Sequence, residues 1–191
     1  MTGPASRAVV IGASAGAVQA LLTILPTLPA DYPLPIFVVV HVPPDRRNVL
    51  VPLLRAKCRI AVKEAEDKEP VVGGVVYFAP SDYHLLVEAD GGLALSSDEL
   101  VNYSRPSIDV LFESAADAYG PALTGVILTG ANHDGASGLE AVMNAGGDVI
   151  VENPAGAYAS AMPEAALDAC ASAKVMSIGA ITSHLVGLAT G

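Results

Sequence analysis

The sequence predicts an α/β domain with three layers, in which helices cover both faces of a doubly wound, mostly parallel sheet. Two observations support this prediction. Short runs at residues 8–11 and 36–40 are apolar throughout, which is typical of parallel strands buried on both faces. An amphipathic helical pattern lies between these runs, so that strand, helix and strand form a βαβ unit with the usual right-handed crossover.

The other elements follow in order along the chain. Strand-like runs at 75–78, 85–87 and 93–95 are separated by turn signals, including Asp-Gly-Gly at 90–92, and predict an antiparallel β-hairpin insertion. A helix is expected over 106–119, with Pro106 in its first turn. Strands at 125–129, 148–151 and 174–178 then alternate with helices at 136–145, 163–170 and 181–188. The charged stretch 63–69 is expected to be a solvated loop.

Composition narrows the function classes. The length of 191 residues favours a single domain over 1–191, and 52% hydrophobic residues exclude disorder. A net charge of −10 without any Lys/Arg run argues against nucleic acid and against an anionic membrane surface. No apolar run is long enough to insert into a membrane, and no secretion signal is present, so a cytoplasmic location is expected. Cys58 and Cys170 are expected to be reduced thiols rather than a disulfide framework.

Three chemically active side chains follow the ends of predicted strands. Ser14 follows the first strand, His41 the second, and Asp134 lies in the loop after the strand that ends at Thr129. Ligands of open α/β sheets bind beyond the carboxyl ends of the strands. A hydroxyl, an imidazole and a carboxylate at that edge are the parts of a nucleophile, its general base and an orienting group.

The turn around Ser14 suits that role. Gly12 and Gly16 permit a tight strand-to-helix bend, and the helix N-terminus directs free N–H groups toward a developing oxyanion. Each residue also has a simpler interpretation. Ser14 could be a helix N-cap, His41 a histidine at the edge of the core, and Asp134 a turn residue or helix cap.

A dinucleotide site is an alternative for the glycine-rich turn. It would need an acidic residue or an arginine at the end of the second strand, where the chain has His41, and no tyrosine is followed four residues later by lysine. Metal binding is not expected either, because His84, His133 and His184 are scattered without a ligand-spaced motif. The prediction therefore includes no cofactor and no metal.

The chain resembles the catalytic domain of the CheB-type chemotaxis protein-glutamate methylesterases. The likeness runs from about Val9 to Leu185, and it includes the long segment Asn-Tyr-Ser-Arg-Pro-Ser-Ile-Asp-Val-Leu-Phe at 102–112. The resemblance implies a serine hydrolase that removes methyl esters from glutamates of chemoreceptor helices and, in some members of the family, also deamidates receptor glutamines. It implies Ser14 as nucleophile, His41 as base and Asp134 as orienting carboxylate. The further site residues that it implies are Ala15, Gly130 and Ala131 for the oxyanion or substrate, and Arg105 for a receptor contact or for neutralising a nearby carboxylate.

Three positions depart from the family pattern. Ala17 replaces a glycine, and Ala131 replaces a methionine, which is expected to loosen the His–Asp geometry or to widen the pocket. Asn132 replaces another glycine and is expected to keep the turn, because asparagine tolerates a left-handed backbone. These departures motivate a second hypothesis, a catalytically weakened domain that binds receptors or other partner proteins. The family's usual receiver domain is not expected, because the first catalytic strand begins near Arg7. The oligomeric state stays open.

Overall fold

The architecture is a seven-stranded sheet between two helical layers. The computed structural model describes residues 5–41 and 49–191. Its strands and helices are β1 (Ala8–Ala13), α1 (Ala17–Ile24), β2 (Ile36–Val40), α2 (Leu50–Lys57), β3 (Ala61–Glu64), β4 (Val75–Phe78), β5 (His84–Val87), β6 (Leu93–Ser96), α3 (Ile108–Tyr119), β7 (Leu123–Ile127), α4 (Ala136–Asn144), β8 (Asp148–Glu152), α5 (Ala161–Ala169), β9 (Lys174–Met176) and α6 (Ile178–Gly187).

The strand order β3-β4-β2-β1-β7-β8-β9 is parallel at every pairing, which confirms the predicted doubly wound sheet. Apolar side chains alternate between its two faces and form two cores. One core includes residues of α3, α4 and α5, and the other includes residues of α1, α2 and α6. Because the central strands are buried on both faces, their sequences are continuous apolar runs.

The predicted antiparallel insertion is confirmed for two of its three runs. β5 and β6 pair antiparallel as a separate two-stranded sheet. The run at 75–78 was wrongly assigned to this insertion, because β4 lies in the main sheet and pairs parallel with β2 and β3. The charged stretch was also only partly a loop, since Lys63 and Glu64 belong to the edge strand β3. An edge strand with exposed side chains needs no continuous apolar run, so composition alone does not reveal it.

The strand register places three loop starts side by side. Ala13 of β1 pairs with Val40 of β2, so that Ser14 and His41 are the next residues on neighbouring strands. β7 pairs with the other side of β1, and the loop after it contains Asp134. The helix that follows β1, α1, packs on one face of the sheet, and the helix that precedes β7, α3, packs on the opposite face. The carboxyl ends of these central strands therefore form a topological switch point, where ligands of such folds bind.

No helix within the described ranges is long and apolar enough to cross a membrane. Cys58 is partly exposed and Cys170 is buried, and both are free thiols whose pKa is raised by burial.

Candidate active site

The backbone holds Ser14 and His41 at the predicted sheet edge. The Ser14 N–H donates to the Thr129 carbonyl at 2.9 Å, and the His41 N–H donates to the Ala13 carbonyl at 3.3 Å. Ser14 is half-buried, and its hydroxyl has no hydrogen-bond partner among residues 5–41 and 49–191. The N-cap of α1 is Gly16 rather than Ser14, so the helix-cap interpretation of this serine does not apply.

His41 and Asp134 are directly hydrogen-bonded. The distance from Nε2 of His41 to Oδ2 of Asp134 is 2.7 Å. Asp134 is completely buried, and the side chain of His41 is 13% exposed. The expected loosening of this pair by Ala131 is therefore wrong, because the contact has the length of a strong charge-assisted hydrogen bond.

The N-terminus of α3 surrounds the Asp134 carboxylate with donors. The backbone N–H groups of Ile108 and Asp109 donate to it at 2.7 and 3.2 Å. The Ser107 hydroxyl and the Asn102 amide donate to its Oδ1 at 2.9 and 2.8 Å. A helix N-terminus favours negative charge, because its first N–H groups lack intrahelical acceptors. Asp134 therefore accepts hydrogen bonds from the N-terminus of α3. It is not the cap of the helix that follows it, α4, whose N-cap is Gly135.

The electrostatic balance keeps Asp134 ionised. Burial alone would raise the pKa of its carboxyl group, but the hydrogen bonds from His41, the Ile108 N–H and Asn102 hold that pKa below its usual value. A carboxylate that stays charged can orient the imidazole and stabilise its protonated form without taking up the proton itself.

A second buried carboxylate joins the two helices beside the site. Oδ1 of Asp109 accepts from the N–H groups of Gly135 and Gly138, at 3.0 and 2.6 Å, at the start of α4. Its Oδ2 accepts from Asn102 at 2.7 Å. Burial raises the pKa of Asp109, and the Asp134 charge adds to that rise, while hydrogen bonds from Gly138 and Asn102 oppose it. The single amide of Asn102 therefore bridges two buried carboxyl groups.

His84 supports this arrangement from the hairpin. Its Nδ1 accepts from the Ser107 N–H at 3.2 Å, and its Nε2 lies 2.8 Å from the Glu99 carbonyl. Since Nδ1 is an acceptor, the ring proton must be on Nε2, and the histidine is neutral. His84 thus connects β5 to the start of α3, whose donors hold Asp134.

Asn132 completes the surroundings of His41. Its Oδ1 accepts from the Asp134 N–H at 3.0 Å, and this bond fixes the orientation of the amide. Its Nδ2 therefore donates to Nδ1 of His41, at 3.1 Å. The backbone at Asn132 does not have a positive φ, so the expected left-handed turn is wrong at this position. The left-handed residue of the loop is Gly135, with φ 99°.

Two of the three backbone N–H groups predicted to serve the oxyanion are free to do so. Within the described part of the chain, the N–H groups of Ala15 and Ala131 donate to no acceptor. The N–H of Gly130 donates to the Ala159 carbonyl at 3.1 Å, so its predicted availability for an oxyanion is wrong. The Thr129 hydroxyl donates to the Ala15 carbonyl at 2.8 Å and thereby joins the loops after β1 and β7.

Arg105 is already paired. Its Nε and Nη2 donate to Oδ1 of Asp82 at 3.0 and 2.7 Å, and its Nη1 donates to the carbonyls of Ser97 and Asp98. The guanidinium therefore neutralises a nearby carboxylate, which is one of its two expected roles. It ties the loop before α3 to the hairpin, and it is not a free cationic patch. His133 is exposed, as expected for a loop residue.

Asn102, Ser107 and Asp109 were not predicted as site residues, although all three lie in the segment 102–112 that carries the family resemblance. The available signal was a group of short polar residues immediately before and inside the first turn of a predicted helix. Such residues usually cap their own helix. Here they and the helix N-terminus instead hold a carboxylate that lies 25–32 residues further along the chain.

Comparison with known proteins gives one consistent family. The family model described as CheB methylesterase matches residues 9–185. A Leptospira interrogans protein, provisionally named protein-glutamate methylesterase/protein-glutamine glutaminase, is 45% identical over 182 residues, which are 95% of this chain and 94% of that protein. A Symbiobacterium thermophilum protein-glutamate methylesterase/protein-glutamine glutaminase is 39% identical over 94% of this chain and 49% of its own length. The crystal structure of the Thermotoga maritima CheB methylesterase catalytic domain is similar with a TM-score of 0.91 and 36% identity, covering 98% of this chain and all of that one.

Proposed function

Because the chain belongs to the CheB methylesterase family, we propose that it hydrolyses methyl esters of protein glutamate side chains through Ser14, His41 and Asp134. The hydrogen bond of 2.7 Å between His41 and the buried Asp134, beside Ser14 on the neighbouring strand end, is the observation that carries this proposal. No cofactor or metal takes part in the proposed reaction.

The tautomer of His41 sets the direction of proton transfer. Nε2 faces a carboxylate and Nδ1 faces an amide N–H, so Nε2 carries the hydrogen and Nδ1 has the free electron pair. We therefore assign Nδ1 as the general base. It takes the proton of Ser14 as the oxygen attacks the ester carbonyl, and Asp134 stabilises the resulting imidazolium.

The remaining steps use the same groups. The N–H groups of Ala15 and Ala131 are proposed to stabilise the oxyanion, since they have no other acceptor in the described part of the chain. Nδ1–H of His41 then protonates the leaving methoxide, and methanol departs from the acyl-enzyme. A water molecule, deprotonated by Nδ1, releases glutamate. With glutamine as substrate the leaving group is ammonia, and the same acyl-enzyme forms.

The proposed substrate is a methylated segment of a chemoreceptor's cytoplasmic helices, and the proposed location is the cytoplasm. Two exposed aromatic side chains flank the sheet edge. Tyr158 has its Cβ next to Gly16, and Tyr103 follows Asn102 and is 94% exposed. Apolar contacts of this kind suit a chain with a net charge of −10, because its overall charge gives no general electrostatic attraction to an acidic segment of a partner protein.

The proposal is tested by methanol release from a methylated receptor fragment. Ser14→Ala is expected to abolish release, whereas Ser183→Ala, which changes an exposed serine on α6, should behave as the parent. Asp134→Asn should lower kcat by about 10³–10⁴, since the amide favours the wrong imidazole tautomer. Methanol release that persists in Ser14→Ala would refute the assignment of Ser14 as the nucleophile. A folded parent that binds the fragment without releasing methanol would instead support the alternative of a weakened binding domain.

A further inference from the structure

The electron pair that the proposed reaction requires is already engaged. Nδ1 of His41 accepts a hydrogen bond from Nδ2 of Asn132 at 3.1 Å. The Ser14 hydroxyl, which would need the same nitrogen, has no bond to His41 or to any other described residue. An imidazole nitrogen has one in-plane electron pair and accepts one strong hydrogen bond. The amide and the hydroxyl therefore compete for it.

The orientation of the Asn132 amide is determined rather than arbitrary. Its Oδ1 accepts the Asp134 N–H at 3.0 Å, which leaves only the NH₂ group to face the ring. Three hydrogen bonds thus form a closed circuit from the Asp134 backbone through Asn132 and His41 to the Asp134 carboxylate. The circuit holds the neutral imidazole with Nε2 protonated, the tautomer that a general base needs.

The same amide opposes the next step. When Nδ1 takes the Ser14 proton it becomes an N–H donor, and it then faces the N–H of Asn132. Asn132 must move away from Nδ1 before or during that transfer. We propose that Asn132 is a positioning residue that holds His41 in a resting state by occupying the general-base nitrogen, and that its release from Nδ1 limits the reactivity of Ser14. This inference rests on the proposed function, in which Nδ1 accepts the serine proton.

The test uses a small reagent, so that receptor docking plays no part. A fluorophosphonate phosphonylates an activated serine: the Ser14 Oγ–P bond forms, the P–F bond breaks, fluoride leaves, and the proton passes to Nδ1. In Asn132→Ala, the rate of labelling should rise by about two- to tenfold, the effect expected from losing one neutral hydrogen bond that stabilises the resting state. Alanine adds no backbone strain, since position 132 does not have a positive φ.

His133→Ala is the matched control, because His133 is the exposed neighbour in the same loop and its side chain makes no hydrogen bond within the described residues. Asn132→Gly is the second variant, which keeps the test informative if the alanine variant does not fold. The ¹⁵N resonance of His41 Nδ1 gives a readout independent of catalysis. It should move toward the position of a free imidazole acceptor in both Asn132 variants and stay unchanged in His133→Ala.

Faster labelling in the Asn132 variants, together with the ¹⁵N change, supports the inference. Labelling that is unchanged or slower overturns it, because the amide would then be neutral or would assist the reaction, for instance as an oxyanion donor. An unchanged ¹⁵N resonance also overturns it, since the hydrogen bond would be absent. If neither the parent nor any variant is labelled although all are folded, the proposed function itself fails, and this result is distinct from the others.

Discussion

Asn102 offers the most quantitative test of how the Asp134 carboxylate is held. Its Nδ2 donates to Asp134 at 2.8 Å and to Asp109 at 2.7 Å. Hydrogen bonds to charged groups contribute about 1.5–3 kcal/mol each. Because Asn102 is only half-buried and water can partly replace it, the lower limit of about 3 kcal/mol for both bonds is the appropriate value.

Glycine is the right replacement, since the backbone at Asn102 has φ 52° and a left-handed conformation costs alanine additional free energy. Asn102→Gly should lower the free energy of unfolding by about 3 kcal/mol. For a chain of this size that corresponds to a Tm lower by about 6–12 °C. Tyr103→Gly is the matched control, because Tyr103 has φ 60° in the same loop and an exposed side chain, and it should change stability little.

The pH dependence separates this effect from simple loss of packing. Hydrogen bonds hold the native pKa of Asp134 below its unfolded value, so its contribution is complete above about pH 4 and is lost as pH falls through the native pKa. Removal of Asn102 raises the native pKa of both carboxyl groups. The difference in free energy of unfolding between the parent and Asn102→Gly, measured by urea denaturation, should therefore narrow as the pH falls, first through the raised native pKa of Asp109 and then, below about pH 4, through the lowered one of Asp134. If the free energies of unfolding of Asn102→Gly and Tyr103→Gly at pH 7 differed by less than about 1 kcal/mol, the bridging role of Asn102 would be refuted.

Two further predictions concern neighbouring parts of the site. Burial raises the pKa of Glu152, whose Oε2 accepts from the Thr129 N–H, so the parent loses stability as pH rises from the ordinary carboxyl value through the raised one. The urea midpoint of Glu152→Gln should therefore rise relative to that of the parent between about pH 4 and about pH 8. A difference between the two midpoints that stays constant with pH would contradict this. Gly16→Ala should cost more than about 1 kcal/mol, because φ is 86° and the new Cβ would lie 2.7 Å from Cβ of Tyr158. Gly187→Ala, where a Cβ meets nothing within 4 Å, should be neutral or slightly stabilising in the same thermal scan.

The central fold could be predicted because its strands are buried on both faces. Continuous apolar runs identified β1, β2, β7 and β8, and their order gave the doubly wound sheet. Composition could not assign β4 to the correct sheet, since a four-residue apolar run has the same appearance in a parallel sheet and in a hairpin. The edge strand β3 was missed because its exposed side chains, among them Lys63 and Glu64, resemble those of a loop.

The candidate site was predictable where chemistry coincides with a strand end. Ser14, His41 and Asp134 could be selected in this way, whereas the groups that hold Asp134 could not. Contacts such as that of the Ile108 N–H with Asp134 join positions 26 residues apart through helix docking, which leaves no local periodicity in the sequence. Asn132 was expected to act through its backbone, but its side chain contacts His41, a contact that only the three-dimensional arrangement reveals.

The hydrogen bonds between Asp134 and the first turn of α3 also have a consequence for hydrogen exchange. The first amides of a helix ordinarily exchange their hydrogens quickly, because they lack intrahelical acceptors. In this chain the Ile108 and Asp109 amides are hydrogen-bonded to the buried Asp134 carboxylate, so hydrogen exchange at these amides requires those bonds to break. Their protection in deuterium oxide therefore reports directly whether the carboxylate is in place. It allows the integrity of the site to be followed in the absence of substrate, inhibitor or turnover.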